Sequence, residues 1–237
     1  MSSILLLSPI TSLSYELLTE RAKALKERAR ADVNFGCIVI SQGPVTIESR
    51  YEEELAAQGV MDGCVRAEQD GYNAVIVWCA GDPAIAASRE LVKIPVIGPG
   101  ESSLLFASSL ARKYSIIVPY EEQGYLSEEL AVRLGLADRL ASVRGIEMSV
   151  LDIRNYKEKT MEKIKILAEQ TIKNDGAQAI VFGCLGMMGL ARKLSEYLDV
   201  PIVDPAFASL AMAESLISMG LSYSKRTYPF PPKMAQN

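Results

Sequence analysis

Asp70-Gly71-Tyr72-Asn73-Ala74-Val75-Ile76-Val77-Trp78-Cys79 and Asp175-Gly176-Ala177-Gln178-Ala179-Ile180-Val181-Phe182-Gly183-Cys184 say the same thing twice. Each runs from Asp-Gly into a short buried β-branched strand and ends on a cysteine. Each is followed by a helical segment and then a Pro-led strand closing on a Pro turn: Ile94-Pro95-Val96-Ile97-Gly98-Pro99 after the first, Val200-Pro201-Ile202-Val203-Asp204-Pro205 after the second. Apolar runs of four to eight residues between turn signals are the mark of strands buried on both faces, as in parallel sheets. Two such units in one chain predict two similar lobes related by an approximate two-fold axis, with the cysteines at equivalent strand ends.

Outward from these stretches, short strands alternate with longer segments of helical period, the pattern of a parallel α/β fold. Strands are expected at 4–7, 37–41, 74–78, 95–97, 115–118, 142–147, 179–182 and 201–203. Helices are expected at about 12–30, 50–69, 83–92, 100–112, 122–134, 157–174, 187–198 and 206–219. In the 157–174 segment Met161, Ile164, Ile166, Leu167 and Ile172 approximate one apolar face against lysines and glutamates. The fold class is therefore α/β: two lobes of mainly parallel sheet flanked by helices, pseudo-two-fold related, with the active site between them. Residues 1–98 with 206–237 make the first lobe, carrying Cys79, and 99–205 the second, carrying Cys184. The tail from Tyr223 reads as an extended wrap or an ordered loop.

Composition removes many functions. The chain has 237 residues, 49% hydrophobic and 23% charged, with a formal charge of -4, and reads as globular. Neither a nucleic acid nor an anionic membrane is an expected partner for an acidic chain. No apolar run approaches the ~18 residues of a membrane span. The opening Met1-Ser2-Ser3-Ile4-Leu5-Leu6-Leu7-Ser8-Pro9 lacks a basic segment and reads as a first strand, so a cytoplasmic protein acting on a small molecule is expected. There is no histidine, which excludes Ser-His-Asp and Cys-His nucleophile pairs and histidine metal sites. The four cysteines, Cys37, Cys64, Cys79 and Cys184, form no CxxC pair, so no zinc ribbon or dithiol redox site is spelled out.

Cys79 and Cys184 sit where ligands of parallel sheets bind, beyond the carboxyl ends of strands. A following helix N-terminus favours thiolate over thiol, and Asp82-Pro83 is a fitting N-cap and N1 pair for it. A lone cysteine there is as readily a small core residue. Two at matching positions fit a specific chemistry: inverting a C–H centre requires an acid and a base on opposite faces, and a thiol–thiolate pair supplies both without histidine, metal or cofactor. N–H donors of the turns would meet the enolate oxygen. Cys37, mid-strand, and Cys64, on a helix, read as packing. The glycines Gly183, Gly186 and Gly189 are spaced GxxGxxG, not the GxGxxG of a dinucleotide fingerprint.

The other strand-end turns supply candidate substrate contacts. Thr46, beside Pro44 in Gly43-Pro44-Val45-Thr46, is nearest its strand, while Glu48 and Ser49 are better read as caps. In Ser8-Pro9-Ile10-Thr11-Ser12, Thr11 or Ser12 caps the first helix, yet Ser8 and Thr11 lie at the expected mouth. Ala80, Gly81 and Asp82 after the first cysteine, and Leu185 and Gly186 after the second, complete the set. Acidic runs such as Glu52-Glu53-Glu54 read as solvated helix faces.

With these motifs the chain resembles the hydantoin racemases, allantoin racemases included, of the aspartate/glutamate racemase superfamily. The likeness spans nearly the whole length, through Ser8 to Ser12, Gly43 to Ser49 with Tyr51, Cys79-Ala80-Gly81-Asp82-Pro83, Gly183-Cys184-Leu185-Gly186-Met187 and Ser224-Lys225 with Tyr228-Pro229. It implies a cofactor-independent racemase with Cys79 and Cys184 as the acid–base pair, and a homo-oligomer. Amino-acid racemases of the superfamily typically hold the carboxylate with Asn-Thr after the first cysteine and Thr after the second. Here Ala80-Gly81 and Leu185-Gly186 stand there, which favours a cyclic ureide. Against the family's usual Asn-Pro-Asn-Thr-Ser opening, Ser8 and Ile10 replace both asparagines, and Ala80 stands where a Phe is common. The competing readings are an aspartate/glutamate-type racemase, a maleate-type isomerase, or a non-catalytic two-lobed small-molecule sensor.

Overall fold

The computed structural model describes residues 1–232. The first half runs β1 (Ser2–Ser8), α1 (Tyr15–Lys26), β2 (Val33–Val39), α2 (Arg50–Gln69), β3 (Ala74–Val77), α3 (Ile85–Leu91), β4 (Val96–Ile97) and α4 (Pro99–Leu110). The second runs β5 (Tyr114–Val118), α5 (Gly124–Arg133), β6 (Leu140–Gly145), α6 (Val150–Asn155), α7 (Lys157–Gln170), β7 (Ala179–Phe182), α8 (Ala191–Leu198), β8 (Ile202–Val203) and α9 (Pro205–Met219). Every strand pair is parallel, in two four-stranded sheets of order β2-β1-β3-β4 and β6-β5-β7-β8. The second order is the first repeated, with β3 and β7, the strands before the two cysteines, in corresponding places.

The central strands are apolar on both faces because helices cover both. Ile4 and Leu6 of β1 face a core with Leu18 and Leu25 of α1, and Leu5 and Leu7 face another with Ala56, Val60 and Cys64 of α2. Cys37 packs at the edge of the first of these cores and Cys64 lies fully buried in the second. The helices after β4 and β8 cross over. Leu104 and Ala107 of α4 pack with Tyr114 and Ile116 of the second sheet, while Ala206, Leu210 and Ala213 of α9 pack with Ile4 and Ile76 of the first.

Sequence and structure differ at element ends. Helix α1 starts later than expected because Ser14, not Thr11 or Ser12, is its cap, its hydroxyl accepting from the Leu17 N–H at 3.3 Å. Helix α6 was not expected; Ser149 caps it, accepting from the Asp152 N–H at 3.1 Å. Before α8 the chain makes a 3-10 turn over Leu185–Met187 and passes Gly189 at φ +87°, which delays the helix to Ala191. On α7 the buried stripe is Thr160, Ile164 and Ala168. Ile166, two residues and about 200° from Ile164, is half exposed and leaves the expected face.

The tail is anchored through Arg89. Its guanidinium donates to both Glu101 oxygens (2.9 and 3.1 Å) and to the Val96 carbonyl, and lies 3.4 Å from the centre of the Tyr223 ring. Lys225 donates to the Arg89 and Val92 carbonyls at 2.6 Å, closing the C-terminal end of α3. Of the two expected readings, Tyr223 to Pro232 follows the ordered loop, with a turn over 225–227 closed by the Thr227 and Tyr228 N–H groups on the Ser224 carbonyl. Residues 233–237 lie outside the described residues.

Candidate active site

Cys79 follows β3 and Cys184 follows β7, and both line one cavity between the lobes, with about 1000 Å³ of empty space when the solvent at its open mouth is included. The Cys184 sulfur accepts the backbone N–H of Gly186, two residues on, at 3.3 Å, and the Gly81 N–H, in the corresponding position, opposes the rise of the Cys79 thiol. Each cysteine loop leans on the opposite lobe. Leu185 and Met188 are buried in the core of the first sheet. The Ala80 carbonyl lies so close to Gly100 of α4 that a Cβ there would sit 2.2 Å from it, so the approach requires glycine.

Asp82 departs from its expected role. Asp82 and Ala84 both adopt φ +55°, a left-handed conformation that is strained for alanine. This carries the Asp82 carboxylate away from α3 and onto the N-terminus of α4, where it accepts from Gly100 (2.9 Å) and Glu101 (2.6 Å). The second lobe reverses the direction of the same tie. Asp204, at the end of β8, accepts from Gly189 of the Cys184 loop (2.7 Å) and from Ala206 of its own α9 (3.0 Å). Burial raises both carboxyls, Asp82 to about 7.

Of the expected substrate contacts, Ala80, Gly81, Leu185 and Gly186 line the cavity with the two sulfurs. Ser8, Thr11, Pro44, Thr46 and Asp82 do not. Ser8 is fully buried, its hydroxyl turned onto the Ile10 carbonyl at 3.0 Å. Thr11 is exposed and spends its hydroxyl (3.1 Å) and its N–H (2.9 Å) on the Pro44 carbonyl, tying the two turns together behind the cavity. Thr46 flanks the wall that its neighbour Ile47 forms. Thr11 and Pro44 are spent on each other, so the two turns present Ile10, Ile47 and Glu48 to the cavity in place of the expected hydroxyls.

The cavity holds charged residues that the sequence reading missed: Arg21, Glu48, Glu53 and Arg154. Glu53 belongs to the acidic run taken as a solvated face, yet it is only 6% exposed. The signal was spacing, since Glu53 lies three and seven residues before buried Ala56 and Val60, on the stripe that faces the sheet. Burial pushes its carboxyl up to about 7 against the pull of Arg50, which donates to it at 2.7 Å. It lies against the Cys79 loop; a Cβ on Gly81 would stand 2.6 Å from its Oε1. Glu48 reaches across the lobes to accept from the Val150 N–H at 2.7 Å, while Ser49 caps α2.

The two sulfurs stand in unlike fields. Burial raises both thiols, and the carboxylates of Glu53 and Asp82 raise Cys79 further. Cys184 is raised less, to about 11, because the Lys157 ammonium lowers it against the smaller opposing effect of Glu48. Lys157 donates to the Gly186 carbonyl, beside the turn that cradles the Cys184 sulfur. Among the described residues no group of three or more Cys, Asp or Glu side chains is placed to hold a metal ion, and no helix is long and apolar enough to cross a membrane.

The Asp/Glu/Hydantoin racemase family model matches residues 4–213. A hydantoin racemase of Pseudomonas sp. (strain NS671) is 33% identical over 231 residues, which is 97% of this chain and 92% of that protein. Among solved structures, the allantoin racemase from Pseudomonas fluorescens aligns with a TM-score of 0.89 and 34% identity over 97% of each chain. The allantoin racemase from Klebsiella pneumoniae aligns with a TM-score of 0.90 and 28% identity over 98% of this chain and 94% of that one.

Proposed function

This chain belongs to the Asp/Glu/hydantoin racemase family, and from that premise we propose that it interconverts the enantiomers of 5-substituted hydantoins, or of allantoin-like cyclic ureides, by passing a proton between Cys79 and Cys184. The observation that carries the reading is that two sulfurs at corresponding strand ends of two matching sheets line one cavity. Racemisation requires proton removal on one face and delivery on the other. No other pair of titratable groups in the cavity has this symmetric placement.

The charge asymmetry ranks the two sulfurs. Burial favours the thiol form of both, and Cys184, where Lys157 opposes that effect, gives up its proton more readily than Cys79 beside Glu53 and Asp82. Cys184 therefore acts as the base from a minor thiolate form and Cys79 as the acid. In one direction Cys184 takes the C5 proton, the C–H electron pair moves into the adjacent carbonyl to form an enolate, and the Cys79 S–H delivers its proton to the opposite face. The enzyme is left with Cys184 protonated and Cys79 ionised, the state that serves the other enantiomer. The backbone N–H groups of Ala80 and Leu185, next to the two cysteines and not taken up by the sulfurs, are donors for the enolate oxygen. Assembly as a homo-oligomer is part of the proposal, tested by sedimentation.

The experiment follows C5–H exchange by NMR in deuterated water, starting from each enantiomer of a 5-substituted hydantoin. Cys79→Ser and Cys184→Ser should each slow racemisation by roughly 10³-fold or more, while at least one still exchanges a single enantiomer without inverting it. Racemisation by either variant at the wild-type rate sinks the two-sulfur assignment.

A further inference from the structure

Arg21 of α1 lines the cavity, half-buried, and makes no hydrogen bond, ion pair or aromatic contact among the described residues. That is a costly place for a guanidinium, since part of its hydration is lost and no protein acceptor among the described residues replaces it. Its position on the helix explains the burial: Arg21 falls three residues after Leu18 and four before Leu25, within the stripe those residues bury.

The neighbours add positive charge. Arg154 of α6 lines the same cavity and has one Nη committed, to the Ser12 carbonyl at 3.2 Å. Ser12 buries its own hydroxyl without a partner among the described residues. Lys157 follows on the same side, next to the Cys184 turn. Of the carboxylates whose charge Arg21 feels, Glu20 is its exposed neighbour on α1 and does not line the cavity, and those nearer the site are already engaged. Asp204 receives two backbone N–H groups, Glu48 receives Val150, and Glu53 receives Arg50. A cavity corner lined by two guanidiniums, with no carboxylate bonded to either among the described residues and the Lys157 charge close behind, suits an anion that the protein itself does not provide. A neutral ring carries less charge than such a corner neutralises, and planar guanidiniums match the two oxygens of a carboxylate.

We propose that Arg21, with Arg154, forms a specificity subsite for an anionic substituent, so that the preferred substrates are hydantoins bearing a carboxylate on the C5 side chain. This deepens the racemase reading and rests on it for the identity of the ring. Arg21 binds the substituent while the sulfurs work on C5, so its effect falls on substrate choice.

The test compares 5-(2-carboxyethyl)hydantoin with its neutral isostere, 5-(2-carbamoylethyl)hydantoin, by chiral chromatography. The native enzyme should favour the acid over the amide by roughly tenfold or more in kcat/KM, the range of one charge-assisted contact. Arg21→Gln should bring the acid-to-amide ratio to about 1, and Arg21→Lys should restore part of it. A native ratio of 1 or below, or an Arg21→Gln variant that slows both substrates in proportion, overturns the subsite. Should the native enzyme racemise neither compound, the ring assignment fails and the subsite is decided by calorimetry with glutarate and glutaramide. Glutarate binding that Arg21→Gln removes, with glutaramide silent, upholds it; equal behaviour of the two probes overturns it.

Discussion

The Lys157 ammonium and the Glu53 carboxyl stand on opposite sides of the cysteine pair, and each makes a separate claim about pH. Cys184 faces Lys157 and Glu48, and Cys79 faces Glu53, Asp82 and Cys184 itself. Removing the ammonium as Lys157→Met removes the influence that holds Cys184 down, so its pKa rises and the ascending limb of kcat/KM moves to higher pH. A displacement of about half to one unit means a roughly three- to tenfold loss at neutral pH. Thiolate absorbance near 240 nm, titrated in a Cys79→Ser background and taken as the difference from the Cys79→Ser, Cys184→Ser double variant, reads Cys184 apart from Cys37 and Cys64. A limb that stays in place removes Lys157 from the argument. For Glu53 the sign follows from burial. Its folded pKa of about 7 lies above the ordinary value of 4.5, so the folded chain binds the extra proton between these limits. Stability from that proton is present below about pH 4.5 and is lost as pH rises through about 7. Glu53→Gln carries no such dependence, so its melting temperature should gain on that of the native protein from pH 4.5 to 7.5. A constant difference would mean that Glu53 is ionised throughout.

At the scale of elements, the carboxylate ties between cysteine loops and crossing helices hold the site. Asp82 accepts from two N–H groups of α4 while sitting three residues beyond Cys79. Asp82→Ala leaves those donors buried and unpaired, at a cost of about 1–3 kcal/mol, and frees a loop held in left-handed conformations at 82 and 84. The expected outcome is a lower melting temperature together with a fall in kcat for both enantiomers. Asp82→Asn, which keeps one acceptor oxygen, should recover part of each. A variant that melts early but turns over normally would show the tie to be structural alone. The existence of the strands was legible in the sequence because buried runs of four or five apolar residues between turns have few other readings, whereas the short helix α6 was missed. Element ends were not. Ser14 and Ser149 compete with Thr11, Ser12 and other capping residues nearby, and which one caps depends on what the neighbouring turn binds.

For the whole molecule, the exchange of α4 and α9 between sheets makes the lobes mutually dependent. We propose the division into 1–98 with 206–237, and 99–205, on the grounds that Ala206, Leu210 and Ala213 fill the first core while Leu104 and Ala107 fill the second. A fragment of residues 1–98 therefore lacks part of its core. It should remain largely unfolded by circular dichroism and show no cooperative melting, whereas fusing 206–232 to it should restore a transition. Cooperative melting of the short fragment would refute the division. The candidate site was partly legible at this scale. Cys79 and Cys184 could be paired because they close matching repeats, whereas Arg21, Glu53 and Arg154 lie on three separate helices and share no local motif.

What the sequence determined by itself was whatever is encoded by neighbours along the chain: strand and helix alternation, the doubled unit ending in cysteine, and the absence of histidine chemistry. What the tertiary structure decided was which polar side chains face the cavity. Thr11 and Pro44 satisfy each other behind it, Asp82 turns to a helix seventeen residues ahead, and Glu53 and Arg21 are drawn in on apolar stripes. The physical reason is that a polar group's direction is fixed by its hydrogen-bond partner. When that partner comes from a distant segment, nothing in the local sequence names it.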